Sequence, residues 1–383
     1  MANTLTNLIP VMYEGLDIVL REQVGYIPAV SLDAKAEQAA VGQFITTPIT
    51  PAGTTGNIVP GQLPPDDGDQ TIGTMQLQIS KSMYSPIRWS GEEMKGYQTN
   101  GTYAETLKNQ FAQSIRALVN LVEADLQAAA MQNASRAYGT AGTVPFGTAG
   151  DLSDLAQIRK ILEDNGAACS DLQFVMSTAT AASIRGKQSL LLKVNESGSS
   201  NLLRSGRLSD PIEGFNLGVS AQNKLFTKGT GAAYVTSGST AVGAPSIALV
   251  TGSGTVLAGD VVTFAADTVN KYVVGTGVAA PGTIVLNNPG AQIVIPTGNA
   301  LTIGNSYTPN VAFERDAIKL LARTPAMPDG GDDADDVVFI TDPISGLTFQ
   351  VAMYRLYRRV KYEVGLAWGT AAIKDELIAT LLS

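Results

Sequence analysis

The chain holds 383 residues, and its 26 Lys+Arg against 34 Asp+Glu leave a net charge of −8, with no histidine and one cysteine. The missing histidine excludes Ser-His-Asp and Cys-His nucleophiles, HExxH zinc sites and imidazole proton shuttles, and Cys169 alone gives no intrachain disulfide, CxxC pair or thiolate-rich metal site. Only 16% of residues are charged against roughly 25% in an average domain, which suits a surface covered by partners, and the acidic balance argues against phosphate-backbone binding.

One domain usually takes ~100–200 residues, so two or three substructures are expected. No positive n-region precedes Arg21, and no apolar run nears the ~18 residues of a membrane span. The expectation is a protein made in a reducing cytoplasm, without export signal or membrane contact.

Residues 1–41 read as an arm. Leu8, Met12, Leu16 and Val19 or Leu20 fall on one helical stripe, with Gly25 placed as a stop. Tyr26 to Val30 has strand-like composition around Pro28, and a short Ala-rich polar stretch follows.

Residues 42–91 are punctuated by Pro48, Pro51, Pro60, Pro64, Pro65 and Pro86. Met75, Leu77 and Ile79 alternate with Gln76, Gln78 and Ser80, a period-2 strand whose antiparallel partner is Phe44 to Ile49. The spacing predicts a long extended hairpin. Ordering roughly 50 residues costs about 1–2 kcal/mol each in backbone entropy, and the segment has few apolar residues for a core of its own. It is therefore expected to be held by a neighbouring molecule, with Pro60, Pro64, Leu77 and Ile79 as contacts; a floppy surface loop is the alternative.

Within 92–150, Leu107, Phe111, Ile115, Leu118, Val122, Leu126 and Ala129 keep the period of one helical face, and Thr102 with Glu105 fits a capping box. The helix is predicted to run to about Arg136. Glu123 and Asp125 lie beside or behind the stripe and read as solvated or locally ion-paired, not as a catalytic pair. Residues 151–224 alternate helix and strand: a helix with Leu155, Ile158, Ile161 and Leu162 on one face ends at Asn165-Gly166. A buried strand follows at Leu172 to Met176, then a short helix capped by Ser177 or Thr178 and stopped at Gly186, a polar loop over 187–209, and a strand at Phe215 to Val219.

Residues 225–311 turn Gly-, Val-, Thr- and Ala-rich. Strand-like runs at Ile247 to Val250, Val261 to Phe264, Tyr272 to Val274, Thr283 to Leu286, Ile293 to Ile295 and Leu301 to Ile303 are separated by turn residues, the pattern of a small β-barrel or sandwich. α/β-like sequence resumes at Phe313 to Leu321, so this reads as an insertion, with the return over 312–346. An acidic loop (Asp329, Asp332, Asp333, Asp335, Asp336) leads to Val337 to Ile340. In 347–383, Leu347, Phe349, Val351 and Met353, then Val360, Tyr362, Val364 and Leu366, alternate as a β ribbon.

No motif yields a catalytic constellation, a metal site or a bound cofactor. Gly252-Ser253-Gly254 lacks the third glycine and the helix of a dinucleotide fingerprint; Gly186-Lys187 lacks the rest of a phosphate loop. The acidic loop lacks the ligand spacing of a calcium loop, although weak cation binding stays open. Arg355, Arg358, Arg359 and Lys361, flanked by Tyr354, Tyr357 and Tyr362, form a basic cluster for which inter-subunit pairing with acidic loops is preferred over a solvated face or a nucleic-acid patch.

The order of elements resembles the major capsid proteins of tailed bacteriophages, which share the Hong Kong 97 fold, and in particular the podophage coat proteins carrying a β-barrel insertion. The resemblance rests on Met1-Ala2-Asn3-Thr4-Leu5-Thr6 with Tyr13-Glu14, Gly259-Asp260-Val261-Val262-Thr263-Phe264 with Lys271-Tyr272-Val273-Val274, Phe313 with Asp316-Ala317-Ile318, and Gly346-Leu347. It implies an α+β fold with an arm, an extended hairpin loop, a long spine helix, an α/β axial domain and an inserted small β-barrel. It further implies hexamers and pentamers of an icosahedral shell around double-stranded DNA, with the loop lying on a neighbouring subunit, scaffolding and portal proteins as partners, and no enzymatic activity. A virion location follows, with assembly in the host cytoplasm. Lys81 or Lys95 alone does not establish a Lys-to-Asn cross-link, so a non-cross-linked shell is expected. A surface-lattice or adhesin-type protein and a carboxylate- or cofactor-dependent enzyme are the competing readings.

Overall fold

The computed structural model describes residues 9–18, 24–49, 53, 55, 57, 71–148, 151–168, 170–186, 211–328 and 330–383. Pro60, Pro64, the 187–209 loop, Asp329, Leu8, Val19 and Leu20 lie outside them.

In chain order the elements begin with α1 (Ile9–Ile18), β1 (Ser31–Ala39), β2 (Phe44–Ile49), β3 (Gly73–Gln78), β4 (Lys81–Ser90), α2 (Gly91–Thr99), α3 (Tyr103–Gln132) and β5 (Arg136–Tyr138). There follow α4 (Ser153–Asp164), β6 (Leu172–Met176), α5 (Thr178–Arg185), β7 (Phe215–Val219), β8 (Val235–Thr236), β9 (Ser246–Val250) and β10 (Val261–Phe264). The chain continues through β11 (Asp267–Thr276), β12 (Thr283–Leu286), β13 (Leu301–Ile303), β14 (Pro309–Glu314) and β15 (Ile318–Pro325). It closes with β16 (Asp336–Thr341), β17 (Thr348–Leu356), β18 (Arg359–Ala372) and β19 (Ile378–Leu382).

The helical stripe is realised in α3, whose 30 residues span on the order of 45 Å at ~1.5 Å each. Its Leu107, Phe111, Ile115, Leu118, Val122 and Leu126 are all buried, each contributing about 1.5–3 kcal/mol by leaving water. They pack on a six-stranded sheet ordered β1-β15-β18-β17-β16, with β4 on the other side of β18. Phe349, Val351, Met353, Tyr362, Val364 and Leu366 supply the sheet side of that core, on the alternation read from the sequence. The Thr102 capping box does not form: Thr102 makes no side-chain cap bond, whereas Ser90 and Glu93 form a reciprocal capping box on α2. The helix also stops at Gln132, and Arg136 already belongs to β5.

Two expectations near the arm change. Residues 19–23, between the described part of α1 and Gly25, lie outside the described residues, so the stop expected at Gly25 is not tested; a Cβ there would lie 2.8 Å from Val175 Cγ1 and 2.9 Å from the Val219 carbonyl carbon. Tyr26 to Val30 is a tight turn, closed by Ala29 N–H and Val30 N–H donating to the Tyr26 carbonyl at 2.9 and 3.0 Å. The Ala-rich polar stretch is β1, pairing in parallel with β15. Buried Arg323 on β15 anchors it, donating to the Asp33 carbonyl at 2.6 Å and to its carboxylate at 3.0 Å.

A second sheet runs β7-β6-β14-β19-β5-β11-β12-β9-β8, with β10 and β13 off the path. Its first part packs α4 and α5 through Leu155, Ile158, Leu162, Phe174 and Phe215. Gly166, at φ +85°, supplies the left-handed turn that ends α4. Past β7 the chain builds a separate core from Tyr234, Ile247, Phe264, Tyr272, Ile284 and Ile295, among others. There β8 pairs β9, β9 pairs β12, β12 pairs β11, β11 pairs β10 and β10 pairs β13. A bridge between Val235 and Ala300 brings β8 back beside β13, so the hydrogen-bonded ring closes. Ile293 to Ile295 is not a strand; Ile295 makes only an isolated bridge to Thr240.

Candidate assembly surface

The predicted contacts divide between interior and surface. Leu77 and Ile79 are 1% and 0% exposed, packed with Ala39, Leu321 and Ala367 of the same chain. They correct the expectation of a hairpin without internal support: its base is part of the subunit core, and these two side chains have no surface left for a neighbour. The β2–β3 ladder itself forms as read, from Phe44 opposite Gln78 to Ile49 opposite Gly73.

The basic cluster sits on the β17–β18 hairpin, whose two-residue turn is Tyr357-Arg358, with Leu356 opposite Arg359. Tyr357 is 87% exposed and Leu356 49%. Arg358 adopts φ +52°, a left-handed conformation that a bulky side chain occupies at a cost of about 1–2 kcal/mol, and its guanidinium lies 5.7 Å from the Tyr357 ring centroid. A groove of about 1030 Å³ runs along this tip, floored by Ser90, Gly91 and Met94.

Pairing within the chain accounts for two of the four cations. Arg355 Nε lies 3.1 Å from Asp335 Oδ2, and Lys361 pairs with Glu363. The acidic loop thus folds back on its own ribbon, with Tyr354 donating to Asp332; burial and that carboxylate push the Tyr354 hydroxyl up. Within the subunit, Arg355 and Lys361 therefore already have carboxylate partners. Arg358 and Arg359 make no ion pair with any described carboxylate. Glu93 is nearby and held below the usual carboxylate range, chiefly by its bonds to Ser90, with Arg359 and Arg88 adding to the effect.

The sequence reading missed a fully buried carboxylate. Glu123 is fully buried and accepts the backbone N–H groups of Gly25, Tyr26 and Ile27 at 2.6, 2.7 and 3.1 Å. Burial pushes its carboxyl up, while those bonds and one from Ser220 pull it back. Asp125 behaves as read, pairing with Lys81 at 2.7 Å and accepting from Trp368 Nε1 at 2.8 Å. Among the described residues, no group of three or more Cys, Asp or Glu could hold a metal ion, and no helix is long and apolar enough to cross a membrane.

No protein-family profile matches the chain, and no curated protein sequence matches it. Solved structures do. The chain is similar to the capsid structure of cyanophage P-SCSP1u at 12% identity and a TM-score of 0.50, over 95% of this chain and 89% of that one. The chain has a phage-capsid fold. The native capsid of a GTA particle (10% identity, TM-score 0.46, 95% and 91% covered) and a structure from Mycobacterium phage Che8 (12%, 0.45, 94% and 91%) are also similar.

Proposed function

We propose that this chain is the repeating subunit of an icosahedral phage shell enclosing double-stranded DNA. The observation that supports this reading is the placement of two hairpins toward opposite ends of one strand, β18. The base of the β2–β3 hairpin meets β18 at Trp368 and Gly369, where Ser80 N–H donates to the Trp368 carbonyl and Gly369 adjoins Gln78. The bare Tyr357–Arg359 tip stands at the other end, ten paired residues along β18 from Trp368 to Arg359, or roughly 30 Å at about 3.3 Å per residue. Unlike elements at opposite ends of one rigid body make head-to-tail contacts, and such contacts close into rings when the rotation permits. Hexamers and pentamers are the rings an icosahedral shell needs.

On this reading, Arg358 and Arg359 with Tyr357 form one contact, and the 50–72 stretch carrying Pro60 and Pro64 forms the other. Tyrosine and arginine are the side chains most often found at interface hot spots. The subunit is structural and not an enzyme; scaffolding and portal proteins are its partners, and the ringed β unit braces the fold or the contacts between capsomers. Assembly takes place in the host cytoplasm and the product is the virion shell. Lys81 is paired with Asp125 and Lys95 is exposed on α2; among the described residues neither has an asparagine and carboxylate set beside it within the subunit, and the shell is proposed to be non-covalent.

Negative-stain microscopy of the protein expressed with its assembly partners is expected to show closed shells. Denaturing electrophoresis of those particles should give one band at the subunit mass of 39.9 kDa. Monodisperse monomers under every salt and scaffold condition would overturn the reading, and a ladder of heavier bands would overturn its non-covalent part.

A further inference from the structure

A cavity of about 430 Å³ lies where β5 and β19 run out beside the 139–148 loop. That loop is fixed by local bonds. Gly139 turns at φ +90°, where a Cβ would lie 3.1 Å from the Leu382 carbonyl oxygen, and Phe146 N–H donates at 2.8 Å to Asp154 Oδ2 in the first turn of α4. Thr143, Val144 and Thr148 line the cavity and are exposed, so it opens to solvent.

Lys271 reaches the cavity from β11. The ladder between β11 and β5 sets it opposite Ala137, and its side-chain nitrogen donates to the Gly139 carbonyl; both partners also line the cavity. Among the described residues that carbonyl is its one hydrogen-bond partner, and no carboxylate pairs with it. Burial without a counter-charge pulls the amine below the usual lysine range. The rest of the lining decides which reagent suits such an amine. It holds no second cation, and Asp154 contributes a carboxylate, so an anionic ligand is opposed where a neutral one is not. Val144, Pro145 and Leu381 add apolar surface. A lysine that loses its proton through desolvation in a pocket of this kind is a nucleophile.

We propose that Lys271 is a covalent modification site for neutral aldehydes, which it binds as an imine within this cavity. The Nζ lone pair adds to the carbonyl carbon while the C=O π pair moves to oxygen. Both Nζ protons end on that oxygen, which leaves as water, and a C=N bond remains. The Gly139 carbonyl orients the amine for the addition. The proposal does not depend on the shell reading, because the cavity lies within one chain.

Trapping of the imine on the full chain with benzaldehyde and cyanoborohydride, read lysine by lysine through peptide mass mapping, tests it. Exposed Lys95 and Lys374 are the references. Lys271 is expected to be labelled about threefold or more faster than either, at a rate that saturates with benzaldehyde concentration. The anionic analogue 4-formylbenzoate should lose that advantage. Val144→Trp, at an exposed position of the lining, should bring Lys271 down to the rate of Lys95. Lys271→Arg keeps a donor for the Gly139 carbonyl, so it should melt with the wild type while the fast, saturating component disappears. Labelling of Lys271 no faster than Lys95, a rate linear in benzaldehyde, a preference for 4-formylbenzoate, or an undiminished rate in Val144→Trp would each overturn the proposal.

Discussion

Replacing Glu123 by alanine should do more damage than any other single charge removal in this chain. The side chain satisfies three consecutive backbone N–H groups across 96 to 98 residues of sequence, and no described cation pairs with it. Truncation strands all three donors in a fully buried site. Each costs about 1–3 kcal/mol when unsatisfied, and water entering the vacated space recovers part of that. A net loss of about 3–5 kcal/mol is expected, a large fraction of the roughly 5–15 kcal/mol that holds a typical domain. Glu123→Gln keeps shape and one carbonyl oxygen but turns an amide donor toward one of the N–H groups, so about 1–2 kcal/mol should be lost. Urea denaturation of both variants, beside Glu92→Ala on the exposed face of α2, measures the difference. If Glu123→Ala unfolds within about 0.5 kcal/mol of Glu92→Ala, the scatter usual for exposed positions, the carboxylate is not what holds residues 25–27 to α3.

Gly369→Ala places a Cβ 2.0 Å from the Gln78 carbonyl oxygen; because backbone must yield, a loss of about 1–3 kcal/mol is expected, read by thermal melting beside Gly96→Ala, where nothing lies within 4 Å and the helical position of the residue should give a gain of about 0.5–1 kcal/mol instead. Arg358→Gly relieves the φ +52° turn and should raise subunit stability by about 1 kcal/mol while lowering the yield of assembled particles; unchanged assembly would remove the tip from the proposed contact. Asp375 is pushed up to about 6, first by burial and then by Glu376. A carboxyl raised on folding favours the protonated native state, so its contribution is complete below the ordinary Asp range and is lost as pH rises through about 6. The urea midpoint of the wild type should therefore fall relative to Asp375→Asn between about pH 4 and pH 6, and a flat difference would contradict the assignment.

Local pattern and tertiary context contributed differently. The apolar positions of α3 are three or four residues apart, and Leu347 to Met353 and Val360 to Leu366 alternate along the ribbon of β17 and β18; both patterns are legible without a structure, whereas the burial of Gln350 and Ala352 on the other face is not. The alternation from Met75 to Ile79 and its antiparallel partner were equally plain, while the register came from the structure. Whether the hairpin's base was buried was not plain, because Leu77 and Ile79 pack on Leu321 and Ala367, more than 240 residues away in sequence. The segment seemed coreless only because its core comes from elsewhere in the same chain. At the tip, the basic residues could be listed, but their separation into paired Arg355 and Lys361 and bare Arg358 and Arg359 depends on where the acidic loop returns.

The sequence alone determined the helix and strand periods, the absence of imidazole and paired-thiol chemistry, and the succession of elements that resembles phage shell proteins. Periodicity and composition are local properties, set by neighbours along the chain. Only the tertiary structure decided that Ser31–Ala39 is a strand and that Glu123 is an internal acceptor. Each depends on a partner brought from far along the chain: Lys319 to Pro325 for the strand and Gly25 to Ile27 for the carboxylate. A polar or Ala-rich residue carries no mark of such a partner, because the free energy that fixes it is a property of the pair.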